Sequence, residues 1–457
     1  MHRATPGTWQ KGVLMAKTLY LGIDVAMAEN VCCPLLEDGT EARRRFTVPN
    51  NLPGAEQLVK EILTLMDRYH LDHLLVGLES TNLYWWHLSC FLNSCSQLAH
   101  FHHSVYAFNP RLVRGFKKAL PKTGRSDIND AYAVAERLRF GRLPAPFMPN
   151  ELYQPLQRLT RFRCHLARQI TREKNYFLTF LFLKFSEYQN LDPLSNTFGA
   201  ASKAVLTDYL TVDEIVAAPL EELVSLLMKE GKNHFPAPEA IAAAIKKAAR
   251  DSYRPHPSLK EPLNLILSAT LENIRTFSQQ VKKLDSAIER EERKFPNPLK
   301  SIPGLGPVFA AGILAEIQDV HRFPDQAATA KFSGLFWRTN ESGSFQAEET
   351  SLDKSGNDYL RYYLIEGANS VRMHTVEYGR YYRTKYNEST KHKHKRAVVL
   401  TARKLVRMVD AMLRHNQLYI PQPLNPIEEV IPVLTRSRPA KQHHYRLPGS
   451  PVPTLSN

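Results

Sequence analysis

The 457-residue chain predicts an α/β domain at its N-terminus, then a pair of long helices, then a mostly α-helical C-terminal unit. Three observations lead there. Short apolar runs bounded by turn residues alternate with helical periodicity over the first 150 residues. Two later stretches, 152–185 and 262–295, are long and helical in pattern, with apolar positions recurring at threes and fours. Hydrophobic residues make up 43% of the chain, enough for packed cores, and the length exceeds what one ordinary core serves.

The elements follow in order. "TLYLGIDV" reads as an apolar strand ending at Asp24, and a second strand covers about 30–36. "EDGT" turns the chain into a third strand, "RRRFTV", over 43–48. "LPGAEQLVKEILTLMDRYH" has helical spacing, with Leu58, Ile62 and Leu65 on its apolar side. "HLLVGLES" is a buried strand ending at Glu79, "TNLYWWHLSCFLNS" the helix behind it, and "HFHHSVYAFN" another strand. A further helix starts near Asp127. Three strands, helix, strand, helix, strand, helix is the order of a layered α/β domain. A helical segment at about 186–253, rich in Ala and Lys, separates the two long helices and reads as an insertion. The expected divisions are a flexible leader at 1–16, the α/β domain at 17–150, the helical pair at 151–296, the C-terminal unit at 297–420 and a Pro-rich tail at 421–457.

Charge narrows the partners. Lys and Arg number 60 against 45 Asp and Glu, a formal +15 that favours a polyanion, most simply nucleic acid. A membrane surface competes, but no apolar run reaches the roughly 20 residues that span a bilayer. The first residues lack the apolar segment of a signal peptide, so the expected location is cytoplasmic. Five scattered cysteines (Cys32, Cys33, Cys90, Cys95, Cys164) offer no zinc spacing and suit a reducing compartment.

Carboxylates carry the chemistry. Asp24 and Glu79 end strands that should lie side by side, where open α/β sheets gather their sites. Asp127 and Asp130, three apart at a helix start, point the same way. Read alone, Asp127 is a cap and Asp130 a dipole-favoured surface acid. If that helix crosses the strand ends, four carboxylates meet, an arrangement unfavourable without a cation. With Mg2+ it becomes a two-metal site for a phosphodiester. The stretch just before, with Arg111, Arg114, Lys117, Lys118, Lys122 and Arg125, is either a solvated basic loop or a phosphate-backbone contact.

"LGIDVA", "GLESTNLYWW", "FNPRLVRGFKKA" and "KTGRSDINDAYAVA" resemble the N-terminal DEDD domain of IS110-type transposases. That fold is similar to RuvC and RNase H nucleases. The resemblance implies an RNase H-like (RuvC-like) α/β domain in which Asp24, Glu79, Asp127 and Asp130 bind two Mg2+ ions.

"SIPGLGPVFAAGILAEI" places Gly304 and Gly306 in a turn before a helix, a place where backbone N–H groups suit phosphate. It looks like a helix-hairpin-helix turn; a plain tight turn is the other reading. The polar loop that follows and "KSGNDYLR", from Lys354 to Arg361, resemble the C-terminal domain of the same family. The family carries a nucleophilic serine in a Ser-Gly loop ahead of a KxGNxxLR helix start, which implies Ser342 as nucleophile and Lys354 and Arg361 at nucleic acid. By residue type Ser344 and Ser355 stand equal to it. The resemblance further implies a covalent phosphoserine intermediate on donor and target DNA and guidance by a structured RNA from the element. It also implies homodimers or homotetramers in which one chain's serine completes another's acidic site. The alternating Lys and His of 391–395 read as a basic helix start rather than a metal tract. The alternatives are a RuvC-like nuclease that uses water on the same four acids, an ATPase of the actin-like and sugar-kinase class starting at "LGIDVA", and a non-catalytic nucleic-acid-binding protein.

Overall fold

The computed structural model describes residues 17–118, 127–143, 146–147, 150–194, 196–337, 341–342, 345–346, 352–353 and 355–421. The chain divides into two compact units between Glu151 and Leu152.

The first unit is a five-stranded mixed sheet with helices on both faces. Its strands are β1 (Thr18–Val25), β2 (Glu29–Leu35), β3 (Phe46–Pro49), β4 (His73–Glu79) and β5 (His102–Phe108), in the spatial order β3-β2-β1-β4-β5. Neighbours β1 and β2, and β2 and β3, are antiparallel, whereas β1, β4 and β5 are mutually parallel. Its helices are α1 (Leu52–Tyr69), α2 (Trp85–Ser94), α3 (Pro110–Lys117) and α4 (Asp127–Arg139). Side chains alternate across a strand. Leu19, Leu21 and Ile23 of β1 therefore share one face with Leu74, Val76 and Leu78 of β4, in a core with Leu58, Val59 and Ile62 of α1. On the other face two glycines pair, Gly22 with Gly77, and α4 lies directly on them.

Two elements differ from their expected limits. The third strand begins at Phe46 instead of 43, because Arg43 pairs with Glu61 and Arg45 with Glu41, turning that end of the segment to charge contacts. The second helix begins at Trp85 because Asn82 takes a left-handed backbone, φ 52°, that no helix passes through.

The second unit starts with α5 (Gln154–Lys184) and continues through α6 (Tyr188–Leu191), α7 (Ala200–Asp208), α8 (Val212–Ala217), α9 (Leu220–Glu230) and α10 (Pro238–Asp251) to α11 (Lys260–Glu292). Helices α5 and α11 run antiparallel: Arg163 pairs with Asp285 at one level, and Asn273 donates to Glu173 one and a half heptads along. Helices α6 to α10 close a core of their own with the far ends of that pair, including Phe177, Leu181, Leu267 and Leu271. Then come α12 (Pro307–Ile317), α13 (Gln326–Ser333), the two-residue strands β6 (Glu341–Ser342) and β7 (Phe345–Gln346), α14 (Asp358–His374), α15 (Val376–Glu388) and α16 (Lys393–His415). Their core holds Ile313, Ile317, Leu360, Tyr363, Leu364 and Leu405, joined by Cys164 from α5. Among the described residues no helix is long and apolar enough to cross a membrane, and all five cysteines are free thiols.

Candidate active site

The last parallel pair between β1 and β4 is Ile23 with Leu78. Asp24 and Glu79 are the next residues on each strand, so they leave the sheet at one level on neighbouring strands, about 4.8 Å apart between strand axes. Both follow the parity of Gly22 and Gly77 and so face the α4 side. Helix α4 runs against β1. A Cβ on Gly22 would meet the Ala131 carbonyl and the Ala135 amide, while Arg139 at the helix end donates to the Glu37 carbonyl beyond the opposite end of β1. The start of α4 thus lies at the carboxyl edge. One turn before Ala131 the helix begins at Asp127, whose side chain is outside the described residues.

The described acids have partners. Asp130 Oδ2 lies 2.5 Å from Lys117 Nζ, and Thr81 Oγ1 donates to Glu79 Oε1 at 2.9 Å. Ser80 anchors the chain beyond Glu79 by donating both its N–H and its Oγ to the Phe108 carbonyl, each at 2.9 Å. Among the described residues no three His, Cys, Asp or Glu groups gather at metal-binding distance. The donor set is nonetheless all carboxylate oxygen, which suits a hard divalent cation. An ammonium already sits on Asp130, so that carboxylate is placed to take a cation.

Lys117 belongs to α3, a helix where the sequence pattern shows only a basic flank. Asn109 caps this helix by accepting from Arg111 N at 2.9 Å, Pro110 opens it, and only Val113 is buried. Asn followed by Pro was the available signal. Arg111, Arg114 and Lys118 are exposed; Lys122 and Arg125 lie outside the described residues.

In the second unit, Gly304 takes φ 85° and packs on the His374 ring, where a Cβ would stand 2.6 Å from Nδ1. Gly306 caps α12 and has open space around it. The element before this turn is a single 3-10 turn, Pro298–Ser301, so one arm of the expected hairpin is short. Ser342 lies on β6, paired with Phe345 on β7; its side chain, Ser344 and Lys354 fall outside the described residues. Ser355 donates its backbone N–H to Asp353.

The described part of "KSGNDYLR" is engaged internally. A Cβ on Gly356 would meet the Gly334 amide at 2.3 Å, so two loops touch backbone to backbone there. Asn357 Oδ1 caps α14 by accepting from Tyr359 N and Leu360 N, both at 3.0 Å. Its Nδ2 donates to Glu316 Oε2 at 2.7 Å. Glu316 is buried and also takes a two-pronged contact from Arg161, at 2.7 and 2.8 Å. Arg361 donates to Asp358 at 2.5 Å and to the Ser333 carbonyl at 3.4 Å, with 11% of its side chain exposed. Sequence reading missed Glu316; a lone acid inside "AAGILAEI" was its signal. In the Lys-His tract, His394 Nδ1 meets Tyr382 Oη at 2.7 Å.

Comparison with known proteins adds relatives. A transposase family model, the IS110-type DEDD domain, matches residues 21–185, and the model of the transposase IS116/IS110/IS902 family matches residues 297–383. The chain is similar to the insertion element IS116 uncharacterized 44.8 kDa protein of Streptomyces clavuligerus, 26% identical over 71% of this chain and 80% of that one. It is 31% identical to the transposase for insertion sequence element IS1111A of Coxiella burnetii, over 26% of this chain and 32% of that one. The pilin gene-inverting protein of Moraxella bovis is 23% identical over 88% of this chain and 98% of its own.

Proposed function

Because this chain belongs to the IS110-type transposase family, we propose that it cuts and rejoins DNA strands at an acidic site on the first unit, with a serine of the second unit as nucleophile. The observation that carries the proposal is the side-by-side exit of Asp24 and Glu79 on the face where α4 begins. Asp24, Glu79, Asp127 and Asp130 hold divalent metal, taken as two Mg2+ ions. Bound there, the metal supplies Lewis-acid polarisation of a phosphoryl oxygen.

The chain's own residues do the rest. Lys117, in contact with Asp130, and Arg111 and Arg114 on α3 hold the phosphate backbone. Ser342 Oγ attacks phosphorus; the Oγ–P bond forms as the bond to the leaving strand breaks, and the serine proton passes to the strand that leaves. A second strand's hydroxyl then attacks the phosphoserine, restoring a phosphodiester and the free serine, so no strand is lost to water. In this reading α5 and α11 form a coiled coil, a structured RNA from the element selects donor and target, and Ser342 of one copy serves the acids of another within a dimer or tetramer.

The test combines the protein, junction DNA of its element, Mg2+ and RNA transcribed from the element's flanks. A covalent protein–DNA adduct on a denaturing gel, lost in both Ser342→Ala and Asp24→Ala, is the expected result. Free cleaved ends that survive Ser342→Ala but not Asp24→Ala would make the protein a metal-dependent nuclease using water.

A further inference from the structure

Beside the acidic edge the first unit carries a pocket of about 650 Å3. Its walls include Met27, Leu52, Leu83, Tyr84, His87 and Phe91. Met27 and Leu83 belong to the loops that leave the sheet just beyond the two acids, three residues after Asp24 and four after Glu79. Chain reach keeps them within roughly 11 and 14 Å of those acids. One side chain ties the loops together. Asn50 Nδ2 donates to the Ala26 carbonyl at 2.8 Å and to the Tyr84 carbonyl at 3.3 Å, and the Asn50 amide donates to Ala28 O at 2.8 Å. The pocket and the acidic edge are therefore held as one piece.

The walls are apolar and aromatic, yet open to solvent: Met27 is 71% exposed and Leu83 53%. No acid or permanently charged base is among the lining residues, whose titratable side chains are Tyr84 and His87. A surface of aromatic faces and a thioether, rimmed by Asn50 Oδ1 and by the Nδ2 of Asn51, whose own Oδ1 caps α1 by accepting from Gly54 N, matches a nucleobase, which has a π-face for stacking and polar edges for an amide. The surrounding chain is basic, and exposed Arg111 and Arg114 suit the attached backbone. A fully paired duplex keeps its bases stacked inside and offers none to such a pocket. We infer that this pocket receives an unpaired nucleobase of the strand whose phosphate lies at the acidic edge, holding that strand open next to the bond that reacts. The inference rests on the reading of the edge as a phosphodiester site.

The experiment uses the full chain, without added metal, and a single-stranded oligodeoxynucleotide with 5-iodouracil in place of thymine, beside its fully paired duplex. Irradiation followed by peptide mapping is expected to place crosslinks at Tyr84, His87 or Phe91 with the single strand and to lose them with the duplex. Leu83→Glu and Met27→Glu, at exposed positions that leave the core intact, should weaken single-strand binding roughly five- to a hundredfold, the range that base stacking supplies, and remove the crosslink. Asp24→Asn should keep it. Crosslinks elsewhere on the chain, or crosslinks that survive Leu83→Glu, would overturn the inference. So would protection of Met27 and Leu83 from hydroxyl-radical footprinting that grows with protein concentration in the absence of DNA, which would mean a second copy fills the pocket. Pocket crosslinks in a protein whose strand chemistry ignores Asp24→Ala would keep the pocket and reject the acidic edge. Asp24-dependent chemistry without pocket crosslinks would do the reverse.

Discussion

Gly22 leaves no room for a side chain against Ala131: a Cβ there would stand 2.2 Å from the Ala131 carbonyl oxygen and 2.3 Å from the Ala135 amide. Both obstacles are helix backbone, which cannot give way without α4 moving off the sheet. Gly22→Ala is therefore expected to cost about 3 kcal/mol or more of stability in the first unit. Gly77 is the control. Its Cβ would meet side-chain atoms of Phe108, Val134 and Leu138 at 2.8 to 3.1 Å, and these can turn aside, so Gly77→Ala should cost less. Urea unfolding of the two variants gives the order, and equal effects would deny α4 its close seat on β1.

Asn357 holds two structures with one amide. Its oxygen caps α14, and its nitrogen satisfies buried Glu316. Asn357→Ala should cost about 2 to 5 kcal/mol, the sum of a lost cap and a lost hydrogen bond to a charged group. Asn357→Asp keeps a capping oxygen but sets a second carboxylate against Glu316, and should be worse at neutral pH. Thermal unfolding distinguishes them; an aspartate variant more stable than the alanine one would contradict the Glu316 contact.

The end of α5 makes a pH-dependent contact with the insertion and with α11. Lys184, 3% exposed, donates to Leu206 O and Tyr209 O at 2.8 Å and to Asn264 Oδ1 at 2.6 Å. Burial pushes its ammonium down to about 8 from the ordinary 10.5. Between those values the unfolded chain holds a proton that the folded chain has released, so stability rises with pH across that window. Below about 8 both states are protonated and the slope vanishes. The full difference is up to about 3 kcal/mol, 2.5 pH units at 1.36 kcal/mol each. Subtracting the stability profile of Lys184→Met from that of the parent should isolate this rise. A flat difference between pH 8 and 10.5 would show that the three acceptors hold the ammonium charged.

Under the proposed function the basic helix α3 reports on phosphate contact. Replacing Arg111 and Arg114 together by Ala should lower the slope of log Kobs against log salt by about 1 to 2 on any DNA sequence. An unchanged slope would remove α3 from the DNA interface.

Much of the first unit is legible in the chain because buried parallel strands write themselves as short apolar runs. "LGID" and "VGLE" end in acids that the sheet then sets side by side. What is not legible has identifiable causes. The Arg and Lys of α3 hide a helix that only an Asn-Pro cap announces. The late start of α2 depends on one left-handed residue, Asn82, which any single sequence leaves undecided. Glu316 and Asn357 stand 41 residues apart, and nothing local in either predicts that they meet. The pocket beside the acids is formed by three separate segments and becomes visible only when Asn50 draws two of them together.

Helix α5 begins among the residues of two cores, one at Leu156 and one at Cys164, and finishes in a third, at Phe177 and Leu181. At 31 residues it is about 46 Å long. Braced along its side by α11, it acts as a stiff arm with a load at each end. A tilt of only about 5° at the base would carry the far core through about 4 Å over a helix of that length. Small rearrangements of the C-terminal core are thus magnified at the tip, and whatever grips the tip has mechanical advantage over the base.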